Sequence, residues 1–429
     1  MRRRAVGWLG LFLILVTGDP ARAAPSPAER AIATAEVRVT RAPDPGAYAA
    51  LAFAQARRAR ETAEVRYYDA AEASLARGEA LAPGDLALAR ARIWVLLGKH
   101  EFAQARAQAE ALNRRVPDDP LIYAMLVDAT LELGDYAAAE ATAQWLLDLR
   151  PGNVLGLTRA AYLRELFGDI EGALELMQQA QVRTPATETE DHAWLLTQMA
   201  HLQLAAGRVP ESAELVAQAL ERFPGYHYAL AQRAQVEAAR GDWGAAASTL
   251  RAHVRAAPHP ENFYYLGRML VRAGDQPGAV AAFAEFEENA RAEVDRWDNA
   301  NRELVYYYAD VARRADAALR VAEVELARRR DLHTRMAWAW ALHCNGRHEE
   351  ARAASEEALA IGTRDPELWR RAGLIARAAG DETRARELLV GSLARAPWQE
   401  DAMVLGTQTA AGSDGPARLP QAFSSGRSR

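Results

Sequence analysis

Apolar residues along this chain recur at helical spacing, in paired runs. In ENFYYLGRMLVRAGD, Glu261 to Asp275, the residues Phe263, Leu266, Gly267 and Leu270 fall on one stripe. The following QPGAVAAFAEFEENA resumes the pattern with Ala279, Phe283 and Phe286. Gly274 stands between the runs, where a helix C-cap needs a left-handed residue. The pattern predicts two helices joined by a tight turn. Gly267 lacks a Cβ, so a second helix can approach its backbone closely, at a propensity cost of about 1 kcal/mol.

The hairpin recurs. GDYAAAEATAQWLLDLRP from Gly134, GDIEGALELMQQAQVRTP from Gly168, GDWGAAASTLRAHVRAAP from Gly241 and GDETRARELLVGSLARAP from Gly380 share one layout, an alanine five residues after the glycine and a proline seventeen after it. Pro83, Pro117, Pro151 and Pro185 are spaced by 34, as are Pro224 and Pro258. A period in this range signals stacked repeats. Ordering one 34-residue unit costs roughly 1–2 kcal/mol per residue in backbone entropy, more than a single helix pair recovers by burial, so the units must stack.

With Phe263, Leu266, Gly267 and Leu270 in one first helix, Ala139, Trp145 or Leu146 and Pro151 in a second helix, and Trp369, Gly373, Gly380, Ala385 and Pro397 in the last unit, the sequence resembles a tetratricopeptide-repeat protein. The resemblance implies an all-α fold, a right-handed α-solenoid of about ten helix-turn-helix repeats whose first helices line a concave groove. The register gives ten pairs over residues 48–397, after an N-terminal lead-in at 24–47. Arg66 and Ala312 stand at the turn-glycine position of the first and eighth pairs. Ala139, Gly267 and Gly373 are expected at close helix contacts, with Trp145, Phe283 and Leu389 filling the spaces. The acidic ETEDH, Glu188 to His192, reads as a solvated loop. A partial capping helix is expected at 398–410, and the Gly/Ser/Pro/Arg-rich residues 411–429 read as disordered.

The first 23 residues have the three parts of a secretory signal: Arg2 to Arg4, an apolar run from Ala5 to Gly18, and Ala21-Arg22-Ala23 before a cut. They imply a periplasmic or secreted chain with no membrane span after cleavage, an uncleaved N-terminal helix being the alternative. Cleavage removes four arginines and one aspartate and moves the net charge from −5 to −8, which argues for no nucleic-acid partner. The lone Cys344 cannot form an intrachain disulfide.

Projecting the groove-facing phase gives Tyr162, His201 and Gln235 in the earlier repeats, then Tyr264, Arg268, Arg302, Tyr306, Met336, Trp340 and Arg370 in the later ones. Tyr264 lies off the core stripe. The later groove is expected to be aromatic and basic, suited to an extended protein or peptide segment with acidic or aromatic groups, or to a glycan. The competing reading is that these side chains satisfy one another across neighbouring helices. His343, Cys344 and His348 offer zinc-type ligands, but the Gly346 turn breaks their helical phase and no fourth ligand is near, so no metal and no cofactor are expected. The single lysine, Lys99 in LLGKHEF, follows a glycine read as a repeat turn and not a phosphate loop. With no nucleophile turn and no room for a further domain, the chain reads as a non-catalytic interaction scaffold of the bacterial cell envelope. A polysaccharide-associated accessory role is the alternative.

Overall fold

The computed structural model describes residues 25–398, and the regular elements among them are helical. The expected signal, residues 1–23, the tail and almost all of the expected capping helix lie outside the described residues. Helix α1 (Pro27–Arg41) falls in the lead-in and packs on the next helix. Ten pairs follow: α2 (Pro45–Thr62) with α3 (Arg66–Leu81), α4 (Leu86–Gly98) with α5 (Phe102–Arg115), α6 (Pro120–Glu132) with α7 (Tyr136–Leu149), and α8 (Val154–Leu166) with α9 (Ile170–Arg183). Next come α10 (Thr189–Ala205) with α11 (Val209–Arg222), α12 (His227–Ala239) with α13 (Trp243–Ala256), and α14 (Pro260–Arg272) with α15 (Gln276–Glu293). The last three are α16 (Asn301–Tyr306) with α17 (Ala315–Arg328), α18 (Leu332–Cys344) with α19 (His348–Leu359), and α20 (Pro366–Ala378) with α21 (Glu382–Arg395). Among the described residues, no helix is long and apolar enough to cross a membrane.

The Gly-Asp pair of the repeat has a local physical cause. Gly274 ends α14 at φ 79°, and Asp275 then accepts the Gly278 N–H at 2.9 Å, capping the first free donors of α15. Asp135, Asp169, Asp242 and Asp381 make the same cap. Three turns inside pairs manage without glycine: Ala63, His100 and Arg313 hold φ of 56°, 60° and 55°, each at a cost of about 1–2 kcal/mol. The expected positions Arg66 and Ala312 are thereby corrected. Helix α2 stops at Thr62, which leaves Arg66 as the first residue of α3, and a π-helical turn over Tyr307–Val311 widens the end of α16, so the left-handed residue falls one place later. Gly98 is likewise not a turn. It closes α4 against the ring of Tyr68, and His100 makes the reversal.

Gly267 and Gly373 sit at the expected close contacts. A Cβ on Gly267 would lie 2.6 Å from the Phe283 ring, and one on Gly373 2.7 Å from Leu389 Cγ. Trp145 does not fill the core. Ala139, Ala143 and Leu146 form the buried stripe of α7, and Trp145, one residue away in phase, is 52% exposed.

Candidate functional site: an axial cavity

The superhelix winds tightly enough for its successive turns to touch. Tyr136 Oη, at the start of α7, accepts the Leu332 N–H at 2.7 Å across 196 residues. The turn at Gly134 lies on the Arg330 carbonyl, and the turn at Gly168 faces the Gly362 carbonyl. Nearer the N-terminus, His100 Nδ1 lies 3.2 Å from Asp298, and His227 Nε2 donates to the Arg60 carbonyl at 2.8 Å. The first pair is clasped hardest. Arg60 pairs with Glu190 and, at 2.7 Å, with Asp191, while Arg57 reaches Glu188 at 2.7 Å.

This clasp corrects the reading of ETEDH as a solvated loop. Glu190 is fully buried in α10, and Tyr226 donates its hydroxyl to the carboxylate at 2.6 Å. Burial pushes the Glu190 pKa up, although Arg60 and Tyr226 act to hold the charged form.

Closure leaves a cavity of about 1040 Å³ on the superhelix axis. Its walls are the inner faces of α8, α10, α12 and α14, and residues 363–366 and 394–398 face them from the following turn. Tyr162, His201 and Gln235 line it, so three of the predicted groove residues are brought together. A second cavity of about 340 Å³ shares Tyr162, Leu166 and His333 with the first, and Arg302 lines it.

The walls mix apolar and polar groups, and several of the charged ones are paired. His201 Nε2 lies 2.7 Å from Glu165 Oε1. Burial works against its imidazolium, but the carboxylate outweighs that and carries the pKa up to about 8. His253 and His333 move the other way: burial holds His253 at about 4 and depresses His333, with Arg302 adding to the latter. Arg302 faces Asp331 at 3.9 Å, and Glu303 and Glu132 also hold its charge against burial. Tyr265 Oη donates to Glu303 at 3.0 Å.

The rest of the expected aromatic and basic groove is corrected, because the protein's own packing fills it. Tyr264 is 2% exposed, with its ring centroid 5.4 Å from Phe286 and 6.2 Å from Phe283; the tyrosine of α14 that lines the cavity is Tyr265. Arg268 lies over the Tyr264 ring at 5.7 Å. Met336 is fully buried. The Arg371 guanidinium sits 3.9 Å from the Tyr306 ring and 4.7 Å from the Trp340 ring, paired with Asp310 at 3.1 Å and Glu367 at 3.0 Å. Trp340 donates its indole N–H to Asp310 at 2.7 Å, and Arg370 joins Glu367 at 3.0 Å. Burial opposes the Glu367 charge, yet Arg370 and Arg371 outweigh it and hold the carboxyl below the usual range. Mutual satisfaction across helices, the competing reading, describes this half. Arg371, the centre of the cluster, was missed because it lies one residue out of groove phase.

His343 and His348 meet through their Nδ1 atoms at 3.2 Å, and burial raises the Cys344 thiol to about 11. Among the described residues, no group of three or more His, Cys, Asp or Glu side chains is placed to hold a metal ion.

A sequence model of the tetratricopeptide repeat matches residues 90–153, 124–187, 197–261 and 232–294. Together with the ten stacked pairs, this makes the chain a repeat protein of the tetratricopeptide type. No curated protein matches it. Among solved structures, a human IFIT1 dimer with PPP-AAAA is similar at 13% identity and TM-score 0.48, over 85% of this chain and 94% of that one. PilW, a widely conserved type IV pilus biogenesis factor, is similar at 12% identity and TM-score 0.40, over 48% and 94%. A tetratricopeptide-repeat protein from Parabacteroides merdae is similar at 19% identity and TM-score 0.33, over 56% and 98%. These likenesses assign no ligand to this chain. The expectation of no nucleic-acid partner is corrected all the same. Human IFIT1 structures similar to this chain are with PPP-AAAA and with m7Gppp-AAAA, and that expectation is withdrawn.

Proposed function

We propose that the chain is a non-catalytic scaffold of the bacterial cell envelope that holds an extended segment of a protein partner along its axial channel. The cavity of about 1040 Å³ carries the reading, because aromatic rings, side-chain amides and histidines from four successive first helices converge there. Tyr162, His201 and Gln235 are its contact residues, with Tyr265 replacing Tyr264. Export rests on residues 1–23, with a mature chain from Ala24, the solenoid over 48–397 and a cap and tail beyond. The test places a photo-crosslinking amino acid at Gln235, or at Trp145 on the outer surface, in intact cells. The reading expects one defined protein joined at Gln235 and not at Trp145, and a purified chain that begins at Ala24. Adducts that are the same from both positions would sink it.

A further inference from the structure

Two guanidiniums in the lining of the larger cavity are left without a carboxylate. Arg364 comes from the loop before α20 and Arg395 from the end of α21, and neither forms an ion pair among the described residues. Arg395 is held in place all the same. Its Nη1 donates to the Gly391 carbonyl at 2.9 Å, and its guanidinium lies 4.6 Å from the centre of the Trp369 ring. The stem of Arg364 rests on the Gly168 turn, where a Cβ on Gly168 would lie 2.9 Å from Arg364 Cγ. Burial, and then the like charge of Arg364, lower the Arg395 pKa, so the two cations act on each other.

The other charges of this lining are paired, with one exception. Glu165 has His201 at 2.7 Å, Asp169 has Arg164 at 3.1 Å, and Glu171 has Arg208 at 2.6 Å. Asp365 has no ion pair among the described residues and accepts the Leu368 N–H at 2.8 Å as the cap of α20. Two unpaired cations against one unpaired carboxylate leave an excess of positive charge where the last pair meets the cavity. The basic side chains of the first helices do not share this role, because Arg302 faces Asp331 and Arg370 joins Glu367. A carboxylate within reach of Arg364 and Arg395 would relieve their repulsion and accept charge-assisted hydrogen bonds from donors that no described residue uses. A cation there would add to the repulsion, and an uncharged group would leave it standing.

We infer that the partner segment seated in this cavity carries an aspartate or glutamate whose carboxylate docks on Arg364 and Arg395. The inference rests on the function proposed above and adds the charge of the ligand and the residues that read it.

Affinity selection by the full chain from a degenerate decapeptide library tests it, with Arg364→Gln and Arg395→Gln in parallel and circular dichroism to check that each folds. The pool retained by wild type should be enriched about five-fold or more in Asp and Glu over input, and each folded variant should lose most of that enrichment. Arg364 is exposed, so its variant decides should Arg395→Gln fail to fold. A wild-type pool without acidic enrichment, or an enrichment that either folded variant keeps, overturns the inference but leaves a peptide-binding scaffold standing. Acidic enrichment that emerges only in a Glu400→Gln, Asp401→Asn double variant overturns it in the same way, because the chain would then supply the carboxylates itself. Retention of a neutral hexasaccharide or an RNA oligonucleotide in place of any peptide overturns both.

Discussion

The inner face of the solenoid is built twice, to opposite ends. In the half that runs from α8 to α14, the first helices leave a cavity between them and the following turn, lined by aromatic, amide and charged side chains. In the half from α16 to α21, equivalent positions close on the Arg371 guanidinium, held between two rings and two carboxylates. The repeat is the same in both. What differs is whether an inward side chain finds its partner on the next helix, so a concave surface in this kind of fold becomes a site only where neighbouring repeats leave one another unsatisfied.

The largest effect is expected where the filled half is broken. Arg371→Met removes a side chain only 1% exposed, leaving Asp310 with the Trp340 indole and Glu367 with Arg370. Unfolding in urea should show a loss of about 3–5 kcal/mol, the range for removing one partner of a buried ion pair. The matching change in the hollow half, Gln232→Leu, breaks no bond within the described protein and should stay within about 1 kcal/mol of wild type. Equal losses from the two would erase the distinction.

Next in size is the clasp that makes the hollow half a cavity. Arg60→Ala leaves Glu190 fully buried with the Tyr226 hydroxyl and, at 3.9 Å, Arg57, while Arg60 itself is partly exposed. A loss of about 2–3 kcal/mol is expected. Hydrogen exchange should also accelerate in α2 and α3 while α20 and α21 stay unchanged, since only the first turn is released.

A smaller test concerns close packing inside one pair. Gly267→Ala adds a methyl 2.6 Å from the Phe283 ring. The helix propensity gained is about 1 kcal/mol, against roughly 1–3 kcal/mol for overpacking, so a net loss of about 1 kcal/mol is expected from the shift in urea midpoint. A Phe283→Leu background should relieve it.

How far the sequence reaches into this molecule depends on the range of the interaction. The helical pairs, the Gly-Asp turn and the contact under Gly267 were legible because each is local: a period, a φ angle and a missing Cβ. Tyr162, His201 and Gln235 were legible because their phase is unambiguous. Tyr264 and Tyr265 were not, because one residue of helix turns by about 100°, and at the edge of a stripe both assignments fit. The clasp of Arg60 on Glu190 and the seam from Tyr136 to Leu332 depend on twist accumulated over four and six pairs respectively, which no local pattern encodes. Arg371 shows the same limit from within: its partners come from three different helical segments.

The mildest effect separates the cavity wall from bulk surface through its pH dependence. His201, beside Glu165, has a folded pKa of about 8 against about 6.5 unfolded, so its contribution is fully present below pH 6.5 and is lost as pH rises through 8. His227 and His253 have the opposite sign. Burial holds both near 4, so their contribution is full above pH 6.5 and is lost as pH falls toward 4. The His201 side chain is 47% exposed, and water screens the pair, which limits its share to about 0.5 kcal/mol. In urea midpoints measured between pH 4 and 9, His201→Gln should flatten the alkaline decline and leave the acid limb unchanged. If both limbs changed together, His201 would be acting through the packing of α10, and the balance of charge along this wall would need another source.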